Sequence, residues 1–122
     1  MNLRTLSAMA VITGASVMGA TPGLAQDTIS ASQVRAINLA RNTAVAENGG
    51  LTVYRPQPCM FQTSSGGGDC LVNQDGNGYT FQFLGGAPGW PEDGSEPTTE
   101  TEIQIAPDGR TVNEVLYNGS PR

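Results

Sequence analysis

Residues 75–84 read DGNGYTFQFL, and this stretch decides the fold of the chain. Its Asp-Gly-Asn-Gly segment is typical of a tight turn between antiparallel strands, because asparagine and glycine accept the positive φ that such turns need. Beyond the turn, Tyr79, Phe81 and Phe83 alternate with polar residues, which is the period of a strand with two unlike faces. The stretch therefore predicts a hairpin whose aromatic face joins a core.

A second hairpin signal lies nearer the C-terminus. Residues 98–105 and 110–117 flank the turn sequence Pro107-Asp108-Gly109. Ile103 and Ile105 alternate with polar residues, which predicts a half-buried antiparallel strand. The pattern of residues 110–117 leaves the buried face of the last strand undetermined.

A helix is expected before the strands, over residues 31–47. Ser30 and Gln33 form a capping-box pattern at its start, and the sequence Asn-Gly-Gly at residues 48–50 ends it. Leu39 lies on the side away from the predicted apolar face. That face, expected to pack on the sheet, consists of Val34, Ile37, Ala40, Ala44 and Val45.

A helix followed by hairpins, without βαβ alternation, predicts the α+β class: one N-terminal helix packed on a small antiparallel sheet of about four strands. Residues 26–122 are enough for a single small domain of this kind. Residues 51–55 and 59–62 are expected to be edge-strand pieces, since Pro56 and Pro58 interrupt them.

Cys59 and Cys70 are the two cysteines of the chain and are expected to form a disulfide. No histidine or further cysteine stands near them, so a zinc site lacks ligands. On the chain-entropy model, closing so short a loop contributes ~3 kcal/mol to stability. The glycine- and serine-rich residues 63–69 are expected to form a flexible loop between the two cysteines.

Residues 1–25 have the layout of a cleaved secretory signal peptide. Arg4 precedes an uncharged, largely apolar run over residues 6–20, and Gly23 and Ala25 are small residues at the positions that a signal peptidase reads. The run is shorter than the ~20 residues of a membrane-spanning helix. The mature protein is therefore expected to be periplasmic or secreted, with no membrane insertion after cleavage.

Composition disfavours several classes of function. Without the predicted signal peptide, five arginines face eleven acidic residues, a net charge of −6 that disfavours nucleic acid as a partner. Neither histidine nor lysine occurs, which excludes Ser-His-Asp, Cys-His and Schiff-base chemistry. Residues 75–86 fail the EF-hand pattern because Thr80 and Gly86 stand where glycine and glutamate belong. No cofactor, metal or catalytic residue is expected.

Residues 85–97 form a long connection between the two hairpins and are the candidate binding segment. Loops of about a dozen residues without secondary structure are often functional. If the segment binds a partner, Trp90 is expected to be the anchor, and the carboxylates of Glu92, Asp93 and Glu96 are expected to steer a basic partner. The alternative is that the indole of Trp90 folds back and closes one end of the core.

The chain reads NGGLTVYR at residues 48–55 and YTFQFLGGAPG at residues 79–89. In these two stretches it resembles small exported cyanobacterial proteins with no assigned activity. The closing Tyr117-Asn118-Gly119 extends this resemblance over most of the mature chain. Residues 101–115 are more weakly similar to the last hairpin of PepSY-like domains, although Thr99 and Thr101 stand where tyrosines are common there. The second resemblance implies a small exported module that binds or restrains a partner.

The sequence therefore favours a non-catalytic module of the cell envelope that binds a protein or peptide. The alternative is a small hydrolase that acts on envelope carbohydrate through a pair of carboxylates, which must converge in one cleft. The identity of the partner and the oligomeric state are left open by the sequence.

Overall fold

The computed structural model describes residues 29–122, so the predicted signal peptide lies outside the described residues. Within this part of the chain, one α-helix precedes five strands, all of whose pairings are antiparallel. The predicted α+β class is therefore confirmed. The elements are α1 (Ala31–Glu47), β1 (Arg55–Pro56), β2 (Leu71–Asp75), β3 (Gly78–Gly86), β4 (Thr99–Ile105) and β5 (Val112–Gly119).

The aromatic strand β3 is the centre of the sheet. β4 pairs along one side of β3 and β5 pairs with β4. β2 and β1 share the other side of β3, where β2 pairs with its first half and β1 with Gly85 and Gly86 at its end. Both predicted hairpins, β2–β3 and β4–β5, are present with turns at the expected residues.

Helix α1 begins and ends at the predicted residues. The hydroxyl of Ser30 accepts a hydrogen bond from the backbone N–H of Gln33 at 3.1 Å. The side chain of Gln33 donates to the carbonyl of Gly66 instead of returning to Ser30, so only half of the capping box forms. At the other end, the Nδ2 of Asn48 donates to the carbonyl of Ala44 at 2.7 Å.

The buried face of α1 is rotated slightly from the predicted one. Ala36, Ile37, Ala40 and Ala44 are buried, whereas Val34 is only half-buried. Leu39, expected to lie away from the sheet, is half-buried and packs against the core, as does Val45. Three of the four buried residues are alanines, so the helix backbone comes close to the sheet and its flanks also make contact.

The core lies between α1 and one face of the sheet. The side chains that this face contributes include Tyr79, Phe81, Phe83, Ile103 and Ile105. Register shifts in the β4–β5 pairing, at Glu102/Ile103 and Gln104/Ile105, decide the face of the last strand. As a result Val112 and Val115 pack against the core while Leu116 is 45% exposed.

Residues 51–62 differ from the predicted strand pieces. Residues 51–53 form a turn, closed by hydrogen bonds from the N–H groups of Val53 and Tyr54 to the carbonyl of Gly50. The segment Pro58–Phe61 is a 3-10 helix with proline in its first turn. The fixed φ of proline suits a helical first turn, and this explains why only Arg55–Pro56 extends the sheet.

The segment between the cysteines is a pair of packed turns rather than the expected flexible loop. Thr63–Ser65 and Gly68–Cys70 are short 3-10 helices. Gly67 between them has a φ of +96°, and a Cβ there would lie 3.1 Å from the Phe81 ring and 3.3 Å from Ile37. Cys59 and Cys70 form the predicted disulfide, with their Cα atoms 5.8 Å apart, and both are buried.

None of the helices described from residue 29 onward is long and apolar enough to cross a membrane.

Candidate functional site

The predicted binding anchor, Trp90, is packed against the end of β3. Its indole is only 5% exposed. A Cβ on Gly86 would lie 2.7 Å from the Cγ of Trp90, so the ring covers a backbone position that only glycine leaves open. The backbone N–H of Trp90 donates to the carbonyl of Ala87 at 2.9 Å, which holds the turn in place. Trp90 therefore contacts a partner only if it leaves this position.

The three predicted carboxylates of the same connection are exposed but have separate environments. Glu92 forms an ion pair with Arg55 at 2.9 Å. Asp93 accepts hydrogen bonds from the hydroxyl and N–H of Ser95 at 2.6 and 2.9 Å, and these bonds lower its pKa. Glu96 is exposed. An ion pair as exposed as Arg55–Glu92 contributes little to stability. All three carboxylates are accessible, so the connection combines an acidic surface with a buried indole.

A cluster that sequence analysis missed lies on the sheet face opposite α1. Gln82, Glu102 and Tyr117 stand directly opposite one another on β3, β4 and β5. Glu100, two residues before Glu102, points from the same face because side chains alternate along a strand. We call Gln82, Glu100, Glu102 and Tyr117 the arginine cradle, because the last three contact Arg122 and Gln82 donates a hydrogen bond to Glu100.

Arg122 is held in the cradle by both its backbone and its guanidinium. Its backbone N–H donates to the Oε1 of Glu100 at 2.7 Å, and its Nη2 donates to the Oε2 of Glu100 at 2.9 Å. The same Nη2 donates to the Oε1 of Glu102 at 3.1 Å. The Cζ of Arg122 lies 3.9 Å from the centre of the Tyr117 ring. Two carboxylates and an aromatic face thus bind one planar cation.

Glu100 is the buried member of the cradle, with its side chain 6% exposed. The backbone N–H of Arg122, the Nε2 of Gln82 and the Arg122 guanidinium all donate to it, and these bonds lower its pKa to about 2. The hydrogen bonds that Arg122 donates to Glu100 and Glu102 in turn raise the pKa of Arg122. Glu100 is therefore ionised at any physiological pH and is unsuited to donate a proton as a general acid.

An open hollow of about 290 Å³ adjoins the cradle. Gln57 forms its outer wall and is held there by two hydrogen bonds to the backbone of Leu84. The N–H of Gln57 donates to the Leu84 carbonyl at 2.8 Å, and the Leu84 N–H donates to the Oε1 of Gln57 at 2.9 Å. The residues that line the hollow are Gln57, Gln82, Phe83, Leu84, Glu100 and Arg122. Because strands supply most of these walls, the hollow is a preformed feature of the sheet.

Tyr54 is buried between the helix and the sheet, away from the cradle face. Burial raises the pKa of Tyr54 to about 12, and the nearby hydroxyl of Thr101 lowers it by a smaller amount. The Tyr54 hydroxyl has no hydrogen-bond partner among the described residues. Thr101 instead donates to the Oδ1 of Asn118 at 2.7 Å. The Tyr54 ring covers Gly85 as Trp90 covers Gly86, so its contacts are those of a core residue.

Residues 29–122 contain no group of three or more histidine, cysteine or acidic side chains arranged to hold a metal ion. One sequence signal for the cradle existed, namely the alternation of Glu100, Glu102 and Gln104 along β4. That alternation indicates that one face of β4 is polar, but it does not indicate that Arg122 lies on this face. The position of Arg122 depends on the course of the chain after β5.

Comparison with known proteins gives no match: no family model, curated protein or solved structure is significantly similar to the chain. Functional inference therefore depends on the geometry of the chain itself.

Proposed function

We propose that this protein is an exported, non-catalytic module of the cell envelope, periplasmic or secreted, that binds a protein or peptide. The observation that carries the proposal is the preformed hollow beside the arginine cradle, on a sheet face that no helix of the described residues covers. The hollow combines the apolar Phe83 and Leu84 with fixed polar side chains, and such polar groups in a concave site orient a ligand.

The state of the carboxylates supports binding rather than hydrolysis. Glu100 and Glu102 face the same cation, and the ionised state of Glu100 opposes the raised pKa that a glycosidase needs in its general acid. Glu92 and Asp93 make contacts with Arg55 and Ser95 on the exposed connection. Within residues 29–122, these carboxylates give the alternative, a hydrolase of envelope carbohydrate, no acid–base pair.

Export is supported by the signal-peptide pattern and by the disulfide between Cys59 and Cys70. The resemblance to small exported cyanobacterial proteins and to PepSY-like domains points the same way. Intact-mass measurement of the protein from the periplasm or medium is expected to show a chain that starts at Gln26 or Asp27. Recovery of the full-length chain in the membrane fraction would contradict this part of the proposal.

The binding function is tested by affinity capture with residues 26–122 from a solubilised envelope fraction. Leu84→Trp places a large ring in the hollow, and Leu116→Trp makes the same change at an exposed position of β5. We expect a protein or peptide that is retained by the unmodified chain and by Leu116→Trp but lost with Leu84→Trp. Equal retention by all three, or hydrolysis of envelope carbohydrate by the purified protein, would overturn the proposal.

A further inference from the structure

We infer that the arginine cradle is a binding site for a guanidinium group, occupied within the chain by Arg122 and open to an arginine side chain of a partner peptide. The inference rests on the proposed binding function and names the chemistry of the ligand. Glu100, Glu102 and Tyr117 would recognise the incoming side chain through the contacts that they make with Arg122, while Gln82 holds Glu100 in place by donating a hydrogen bond to it.

The contacts select a guanidinium over other cations. The Nε and Nη2 of Arg122 both reach the Oε2 of Glu100, at 3.2 and 2.9 Å, while Nη2 also reaches Glu102. Such a set of donors in one plane, lying 3.9 Å from the centre of the Tyr117 ring, matches the flat fork of arginine. A lysine ammonium is a compact point charge and cannot supply the same fork and stack.

The cradle belongs to the sheet, whereas Arg122 does not. The four cradle residues lie on β3, β4 and β5, which pair side by side in the sheet. Arg122 follows the end of β5 at Gly119 by three residues, and its side chain is 46% exposed. The tail is also fixed by the Tyr117 hydroxyl, which donates to the carbonyl of Ser120 at 2.5 Å. Exchange therefore requires the residues after Gly119 to move and the hydrogen bond to Ser120 to break, but no opening of the core.

Because Glu100 is buried, replacing Arg122 with another guanidinium is more favourable than releasing Arg122 and leaving the cradle empty. With Arg122 removed, the Glu100 side chain would keep Gln82 as a hydrogen-bond donor but lose its cation. A buried carboxylate without a countercharge is strongly destabilising. A second guanidinium restores the pair, and the adjoining hollow has room for a residue that flanks the incoming arginine. The negative charge of the chain further favours the approach of a basic peptide.

The test compares the affinity of a blocked Gly-Arg-Gly peptide for four forms of residues 26–122, measured by amide chemical-shift titration. Arg122→Ala empties the cradle. Arg122→Lys keeps a positive charge at position 122, next to Glu100, but removes the planar guanidinium. Arg110→Ala is the matched control, since it removes the same charge from the exposed turn between β4 and β5. The same peptide with citrulline in place of arginine controls for shape without charge.

We expect the arginine peptide to bind Arg122→Ala at least about tenfold more tightly than the unmodified chain, because the tethered side chain no longer competes. Arg122→Lys should be intermediate and Arg110→Ala unchanged, with shifts confined to the cradle strands. If Arg122→Ala does not fold, Arg122→Lys decides the question. Equal affinity for the arginine and citrulline peptides, or equal affinity of the Arg122 variants and the unmodified chain, would overturn the inference. Affinity capture that still depends on Leu84 would then leave the proposed function standing.

Discussion

Trp90→Ala separates the two roles that this residue was expected to play. If the indole were an exposed binding anchor, its removal would weaken binding and leave the melting temperature nearly unchanged. The structure places the ring on Gly86 with 5% exposure, which makes it part of the packed interior. The variant is therefore expected to lose stability whether or not a partner is present.

The magnitude follows from the area that the ring buries. A packed aromatic side chain removes ~150–250 Å² from water, worth ~4–6 kcal/mol at about 25 cal/mol per Å² as an upper bound. Measured tryptophan-to-alanine losses in cores are ~3–5 kcal/mol, and the loop around Trp90 can relax, so we expect the lower end, ~3 kcal/mol. A domain of this size has a free energy of unfolding of only ~5–15 kcal/mol in total. The melting temperature should fall by roughly 12 °C or more.

Thermal unfolding followed by far-UV circular dichroism measures the effect, since the variant has no tryptophan for fluorescence. Leu116→Ala is the control, because this leucine is 45% exposed on β5 and should cost less than ~1 kcal/mol. Urea unfolding of both variants gives the free-energy difference directly. A loss below about 1 kcal/mol in Trp90→Ala would show that the indole is not packed on Gly86 and would return it to consideration as a binding anchor.

Three further outcomes test the core, the cradle and the disulfide. Ile37→Asp puts a charge in a fully buried position and should unfold the domain in far-UV circular dichroism, whereas Leu39→Asp, at a half-buried position, should keep a cooperative transition. Equal losses would mean that α1 packs through another face. Because the pKa of Glu100 falls to about 2 on folding, its stabilisation is complete above the unfolded pKa of ~4.3 and is lost as the pH falls from there toward 2. In Glu100→Gln, the urea concentration at the midpoint of unfolding should therefore fall less steeply as the pH is lowered from about 4.3 toward 2. The same steep fall as in the unmodified chain would refute the contacts assigned to Glu100. Reduction of the Cys59–Cys70 disulfide should cost ~3 kcal/mol in the same urea assay, and two alkylatable thiols in exported protein would contradict the bond.

Sequence analysis identified one of the two candidate functional regions, the connection over residues 85–97, but not the arginine cradle. The connection that carries Trp90, Glu92, Asp93 and Glu96 was identified by its length and composition, and its carboxylates are indeed exposed. The burial of Trp90 was the alternative that the sequence left open, because a tryptophan in a loop gives no periodicity that assigns it a face. The arginine cradle was missed because its members are brought together by cross-strand register between three strands.

The features that the sequence by itself determined are local ones. The start and end of α1 depend on Ser30 and the glycines after Asn48, and the two hairpins depend on turn residues that accept only a few backbone conformations. The disulfide also follows from local information, since two cysteines in one short segment have no other partner.

Tertiary structure alone decided the features that depend on distant residues. Residues 63–70 form packed 3-10 turns in which Gly67 fits between Ile37 of the helix and Phe81 of the sheet. The face of β5 was set by register shifts against β4, and the position of Arg122 by the two carboxylates that β4 presents to it. Turn and cap preferences act within a few residues, whereas packing and ion pairing depend on which strands become neighbours, and only the folded chain determines that.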